Sequence, residues 1–266
     1  MMSREEWLLL IINASLKAGK EILAIYNNGF SVTEKLDNSP ITEADKKAHQ
    51  IIINTLEETK LPVLSEEGDF PDYAIRKNWE QFWMVDPLDG TKEFVNKNGE
   101  FTVNIALIEN GKPTMGVIYI PVAKTLYFAD KLAYKIDNIS NETFNINTLL
   151  GTAEQLPFLH KRNHFITLTS RSHLNSETEN YLTKLKETHA KLRVEKKGSS
   201  LKLCLIAEGY ADIYPRFSPT MEWDIAAGQA IVNASGGSVL NWETKTPLSY
   251  NKESLLNPSF IVKGIV

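Results

Sequence analysis

Cysteine is nearly absent from this chain. Only Cys204 among 266 residues carries a thiol, so no internal disulfide can form, which fits a reducing cytosol. It stands in the apolar run Leu203-Cys204-Leu205-Ile206 and reads as a small core residue, not a nucleophile. Excess positive charge is missing too: 29 Lys and Arg stand against 33 Asp and Glu, a net charge of −4. That balance argues against a broad surface for nucleic acid or anionic membrane, so a polyanionic ligand would have to be drawn by local Lys, Arg and metal. The apolar stretch at residues 7–12 is too short to span a membrane, and no small-residue cleavage site follows it. Internal repeats, low-complexity segments and long disordered linkers are lacking as well. The expected location is the cytoplasm, with peripheral attachment to the inner face of the cell membrane left open. What remains, 42% hydrophobic and 23% charged residues, is ordinary for a globular protein with one large domain or two closely packed halves.

The stretch around which the rest is organised is Trp83-Met84-Val85-Asp86-Pro87-Leu88-Asp89-Gly90-Thr91. Residues 82–85 read as a buried strand that stops at a carboxylate, and Pro87 is expected to end it because proline cannot donate to a central ladder. Asp89 follows Asp86 by three residues on a turn that Gly90 lets tighten. Acids leaving a buried strand together repel one another and lose solvent, and such a cluster persists when cations hold it. Oxygen-only ligands suit Mg²⁺, which also favours phosphate partners. The competing reading is an Asx turn, since Asp-Gly and Asp-Pro are common loop punctuation.

Taken in order, the chain opens on Ser3-Arg4-Glu5-Glu6, a capping-box pattern, with apolar residues at 7, 11, 14, 18, 22 and 25 and a stop at Asn27-Asn28-Gly29. This predicts a long amphipathic helix. A short strand near 31–35, a turn through Asp37-Asn38-Ser39-Pro40 and a helix from Thr42 follow. Residues 62–64 read as a strand leading into an acidic loop, Ser65-Glu66-Glu67-Gly68-Asp69. Beyond the organising strand, residues 101–109 and 114–120 flank Asn110-Gly111, a strong hairpin signal, and a second antiparallel pair is expected at 125–129 and 132–136. The pattern weakens over residues 138–164, where the join between an α+β half (1–150) and a more parallel α/β half (151–266) is placed. In the second half Gly198-Ser199-Ser200 and Trp223-Asp224 are each expected to open a helix.

The acids fall at informative places. Glu66 and the pair Asp86 and Asp89 follow strands; Asp45 and Asp224 sit in first helical turns. Each has a plainer explanation by pattern alone. Asp45 completes a capping box with Thr42, Asp224 serves as a cap, and Glu66 and Glu67 form a solvated loop.

Together the segments change the balance. Leu64-Ser65-Glu66-Glu67, Asp86-Pro87-Leu88-Asp89-Gly90-Thr91 and Trp223-Asp224-Ile225-Ala226-Ala227-Gly228 resemble, in order and across essentially the whole chain, the inositol monophosphatase superfamily of metal-dependent, lithium-sensitive phosphomonoesterases. A narrower likeness is to its CysQ-type 3′(2′),5′-bisphosphate nucleotidases. It rests on Asp37-Asn38-Ser39-Pro40, Thr91-Lys92-Glu93-Phe94, Asn98-Gly99-Glu100-Phe101-Thr102-Val103-Asn104, Gly198-Ser199-Ser200-Leu201-Lys202, Tyr214-Pro215-Arg216-Phe217 and Leu256-Asn257-Pro258.

The resemblance implies a layered α-β-α-β-α sandwich with the site between its halves. It implies Mg²⁺, two or three ions, held by the side chains of Glu66, Asp86, Asp89 and Asp224 and the Leu88 carbonyl, with Li⁺ as an inhibitor. Thr91, hydrogen-bonded to Asp45, would orient the attacking water. Gly90 and Thr91 would offer backbone N–H groups to the phosphate. Lys202 and Arg216 would take the distal 5′-phosphate or ribose, and Ser199 and His173 would contact the nucleotide. The implied reaction is hydrolysis of the 3′-phosphate of adenosine 3′,5′-bisphosphate, with its sulphated analogue, 3′-phosphoadenylyl sulphate, as a further candidate. The alternatives are an inositol or sugar phosphatase of the same superfamily and an inactive nucleotide-binding regulator. No protein partner and no nucleic acid is inferred.

Overall fold

The structure is a computed structural model that describes residues 2–34, 40–140, 143–158, 162–171 and 175–265. The chain begins with α1 (Arg4–Asn28), and its first turn is capped as the sequence predicts. The Ser3 hydroxyl accepts from the Glu6 amide at 3.2 Å while the Glu6 carboxylate accepts from the Ser3 amide at 2.6 Å. A small hairpin, β1 (Val32–Glu34) and β2 (Pro40–Thr42), leads into α2 (Glu43–Leu56), which buries Ala48, Ile52 and Leu56. Next come β3 (Val63–Ser65), a single-turn α3 (Tyr73–Arg76), β4 (Gln81–Asp89) and a short α4 (Thr91–Val95). Strands β5 (Thr102–Glu109) and β6 (Lys112–Ile120) form the predicted hairpin, with Asn110 and Gly111 both at positive φ. Strands β7 (Thr125–Ala129) and β8 (Ala133–Ile136) extend it. The stretch of weak pattern holds α5 (Ile146–Thr152) and β9 (Glu154–Gln155).

Strands β3 to β9 lie in sequence order in one seven-stranded sheet, antiparallel except where β3 runs parallel to β4. The second sheet takes β10 (Phe165–Ser170), β11 (Leu192–Lys197), β12 (Ile213–Arg216), β13 (Ser238–Asn241) and β14 (Phe260–Lys263), with α6 (Ser176–Thr188), α7 (Leu201–Ala207) and α8 (Glu222–Ala234) between them in the chain. Its order is β11-β10-β12-β14-β13. The expectation of a more parallel sheet holds for the pairs that β10 makes and fails for β14, which is antiparallel to both neighbours.

The side chains of each sheet face two layers. Trp83, Val85, Ile105 and Val117 pack with Ile11, Ile22 and Ile52 from α1 and α2. Met84, Ala106 and Ile118 point the other way, into a core shared with Leu203 and Cys204 of α7, Ile225 and Ile231 of α8, and Val239 and Phe260 of the second sheet. Ile213 and Ile261, on the far face of that sheet, meet Leu185 of α6. The five layers are therefore α-β-α-β-α. The middle contact is close: a Cβ on Gly116 would stand 2.5 Å from the Ala227 carbonyl, so α8 can lie on β6 only where no side chain intervenes. Cys204 is fully buried in that layer, as expected of a core residue. No helix among the described residues is long and apolar enough to cross a membrane.

Two local expectations are corrected. Pro87 does not end β4, which runs on to Asp89; the ladder to β5 instead shifts register between Asp86 and Asp89. A bulge leaves one residue unpaired, so a proline without an N–H can be carried inside the strand. Ser199 does not open a helix either. It sits at φ +40, outside helical backbone, and α7 begins at Leu201, immediately after Ser200.

Candidate active site

The bulge in β4 decides where two carboxylates point. In an unbroken strand, residues 86 and 89 would face opposite sides of the sheet, because side chains alternate. Here Asp86 pairs with Asn104 and Asp89 with Thr102, so three steps along β4 match two along β5. The extra residue brings both acids to the side of Met84 and Ala106, toward α7 and α8.

Other elements complete the cluster. Glu66 leaves the end of β3 with its amide on the Val85 carbonyl at 3.1 Å. Asp224 is the third residue of α8 and accepts from the Met221 amide at 2.9 Å, a capping contact that leaves its other oxygen available. Carboxylate oxygens of Glu66, Asp86 and Asp224 lie within 4.8 Å of one another. Asp89 stands beside this trio. Its Oδ2 lies 2.6 Å from Ser200 Oγ and 3.4 Å from Asn104 Nδ2. Ser200 Oγ is also 2.7 Å from the Asp224 carbonyl, so its single proton can serve either side. Sequence reasoning did not single out Ser200 or Asn104 as side chains of the site. The usable signal was a polar residue inside an otherwise apolar strand, Val103-Asn104-Ile105.

The cap and the Thr91 hydrogen bond expected of Asp45 coexist, because they use different oxygens. Its Oδ2 accepts from the Thr42 amide at 2.7 Å and hydroxyl at 2.6 Å; its Oδ1 accepts from the Thr91 hydroxyl at 3.2 Å. Thr91 is the first residue of α4, entered through Gly90 at φ +93, a backbone that side chains rarely tolerate. Thr91 Oγ1 is also 3.4 Å from the Leu88 carbonyl, so threonine, carbonyl and Asp45 share one corner.

The electrostatics are those of crowded acids. Burial, then the charges of Glu66, Asp89 and Asp224, hold Asp86 well above the ordinary carboxylate range. Asp224 is raised in the same way, first by burial and then by Asp89 and Glu66. Asp89 is raised by burial against the pull of Ser200 and Lys202, and Asp45 by burial against its hydrogen bonds from Thr42 and Thr91. A divalent cation would remove this penalty, and an all-oxygen donor set of converging carboxylates suits Mg²⁺ or a similar hard ion. The residues fit such an ion.

They open into a cavity of about 790 Å³ whose walls include Lys202, Arg216, Ser199 and Tyr214. Lys202 is buried, donates to the Ser199 carbonyl at 2.5 Å and the Lys197 carbonyl at 3.3 Å, and lies 5.4 Å from the centre of the Tyr214 ring. Burial lowers its pKa to about 8, with nearby Asp89 opposing the shift. Arg216 is fixed by the carbonyls of Ser218 and Pro219 at 3.1 and 3.0 Å. Lys92 also borders the cavity but is exposed. His173 lies outside the described residues, as do Asp37, Asn38 and Ser39. Trp223 is buried beside Asp224 and stacks on Phe70.

Comparison with known proteins gives the family of the chain. The chain is 45% identical over 251 residues to the 3′(2′),5′-bisphosphate nucleotidase CysQ of Escherichia coli (strain K12), covering 92% of this chain and 94% of that protein. It is 32% identical over 275 residues to the Haemophilus influenzae protein of the same name, covering 99% and 95%. The crystal structure of CysQ from Bacteroides thetaiotaomicron, described as a bacterial member of the inositol monophosphatase family, matches at a TM-score of 0.91 with 52% identity over 98% of each chain. Residues 3–264 match the inositol monophosphatase family, and the chain belongs to it.

Proposed function

We infer that this chain is a 3′(2′),5′-bisphosphate nucleotidase that removes the 3′-phosphate of adenosine 3′,5′-bisphosphate, yielding AMP and phosphate. The single observation that carries the reading is the meeting of Glu66, Asp86 and Asp224, from three separate segments, within 4.8 Å. The printed name of the relatives, 3′(2′),5′-bisphosphate nucleotidase, supports a bisphosphate nucleotide as the substrate class. Glu66, Asp86, Asp89 and Asp224, with the Leu88 carbonyl, would hold the divalent ions, Mg²⁺ by the chemistry of the donors. When bound, those ions would acidify a water and neutralise charge on the phosphoryl oxygens. Li⁺ inhibition belongs to the same proposal, by displacement of one Mg²⁺.

The protein's own groups do the rest. Asp45 Oδ1 accepts from Thr91 Oγ1, which leaves the lone pairs of that hydroxyl to receive a hydrogen bond from the attacking water. The water oxygen bonds to phosphorus as the bond from phosphorus to the 3′-oxygen breaks, the water giving up one proton and the departing 3′-oxygen taking one up, with no covalent link to the enzyme. Backbone N–H groups of Gly90 and Thr91 would steady the phosphoryl oxygens. Lys202 and Arg216 would grip the distal phosphate, Arg216 as a fork already aimed by its two carbonyl contacts. Ser199, in the cavity wall, would meet the sugar. The sulphated analogue carries the same 3′-phosphate and is a candidate substrate. A lone buried cysteine suits a cytoplasmic setting.

The deciding experiment measures phosphate release with Mg²⁺ from adenosine 3′,5′-bisphosphate and from inositol 1-phosphate. A kcat/KM at least tenfold higher for the nucleotide is expected. Preference for the inositol ester would replace this substrate with the sugar phosphates of the wider family.

A further inference from the structure

Carboxylates that repel need something to keep their segments together. Glu66 follows β3 of the first sheet and Asp224 belongs to α8, yet their oxygens approach within 4.8 Å. Like charges at that separation favour drawing apart unless a cation lies between them. An apolar contact spans the same two segments. Phe70, four residues beyond Glu66, stacks on Trp223, the neighbour of Asp224, with ring centres 5.4 Å apart and planes 17° from parallel. Both rings border the cavity. Trp223 is 5% exposed and Phe70 50%.

A single exposed phenylalanine needs no explanation by itself. Its parallel stack on the residue next to a site carboxylate does. Just after Glu66 the chain turns tightly, the Gly68 amide donating to the Ser65 carbonyl at 3.0 Å. The next tether is Arg76, whose guanidinium donates to Asn251 Oδ1 and to the carbonyls of Lys252 and Glu253. Phe70 lies between these two anchors and presses the intervening loop onto α8.

We propose that Phe70 is a positioning residue for the divalent ion: its stack on Trp223 holds the Glu66 loop against α8, so that Glu66 and Asp224 reach one cation together. This rests on the metal reading above. Without the ring, part of each ion's binding free energy is used to draw the loop in.

The test is calorimetric titration of the full chain with MgCl2 alone, no substrate present, for the wild type, Phe70→Ala, Phe70→Leu and Phe70→Tyr. Loss of one aromatic pair predicts a Kd for Mg²⁺ about 3- to 10-fold weaker in Phe70→Ala, given the usual worth of such stacks. Phe70→Tyr is expected to bind as the wild type and Phe70→Leu to fall between. Urea unfolding of each variant in chelator separates positioning from packing, because a purely structural ring would lower that midpoint and leave the Kd alone. If Phe70→Ala does not fold, the ordering of Phe70→Leu below Phe70→Tyr in Mg²⁺ affinity carries the test. Equal Mg²⁺ affinity across the folded variants overturns the proposal, and a rise only in KM for the nucleotide would make Phe70 a substrate contact. A wild type that takes up no Mg²⁺ would instead remove the metal reading beneath it.

Discussion

The Thr91 hydroxyl donates to Asp45 Oδ1 at 3.2 Å, joining the first turn of α4 to the first turn of α2 across 46 positions of sequence. If that pair acts on the water as a unit, removing either member should disable the same step. Thr91→Ala and Asp45→Asn should each lower kcat by about 10²- to 10⁴-fold, and the double variant should be little worse than either. Thr91→Ser keeps the hydroxyl and should retain most activity. Additive losses in the kcat cycle would show that the two residues act separately.

The raised carboxylates make stability depend on pH when metal is withheld. An acid whose folded pKa lies above its unfolded value near 3.8 adds full stability below that value, and loses it as pH rises through the folded one. At pH 7 in chelator Asp86 therefore opposes folding. Asp86→Asn should unfold at a higher urea concentration than the wild type. The gap should close as pH falls toward 4. Millimolar Mg²⁺ should reverse the order by stabilising only the wild type. A gap independent of pH would assign the effect to packing.

Lys202, with its pKa near 8, carries its charge at neutral pH and loses it in mild alkali. If its charge draws a second phosphate, KM for the bisphosphate should climb several-fold between pH 7 and pH 9.5. Lys202→Met should show a high KM that is flat over the same range. An unchanged profile in the wild type would move the distal grip to Arg216 alone.

Much of the fold was legible because local chemistry and tertiary demand agree. Ser3 with Glu6, and Asn110 with Gly111, specify a helix start and a hairpin whatever surrounds them. The converging acids stood out because charges on buried elements are costly, so Asp86 after an apolar run is conspicuous. What failed depended on partners. Pro87 looked like a strand end because only the pairing with β5 shows that a bulge absorbs its missing donor. Ser199 looked like a helix start because Gly-Ser-Ser does not say which serine leaves helical backbone. Ser200 and Asn104 escaped notice because a hydroxyl or an amide reveals its role only through what stands opposite, here Asp89. Phe70 carried no signal at all, since nothing along the chain announces a ring that lies on Trp223.

The irregularity in β4 sets a counting rule for this enzyme. Regular pairing through these three residues, without the bulge, would swing the acid at position 89 round to the face of Val85 and Leu88, toward α1 and α2. The three-residue interval and its bulge work together as a ruler. Grafting the site onto another sheet would require transplanting the miscounted strand together with its neighbour, not the acids alone.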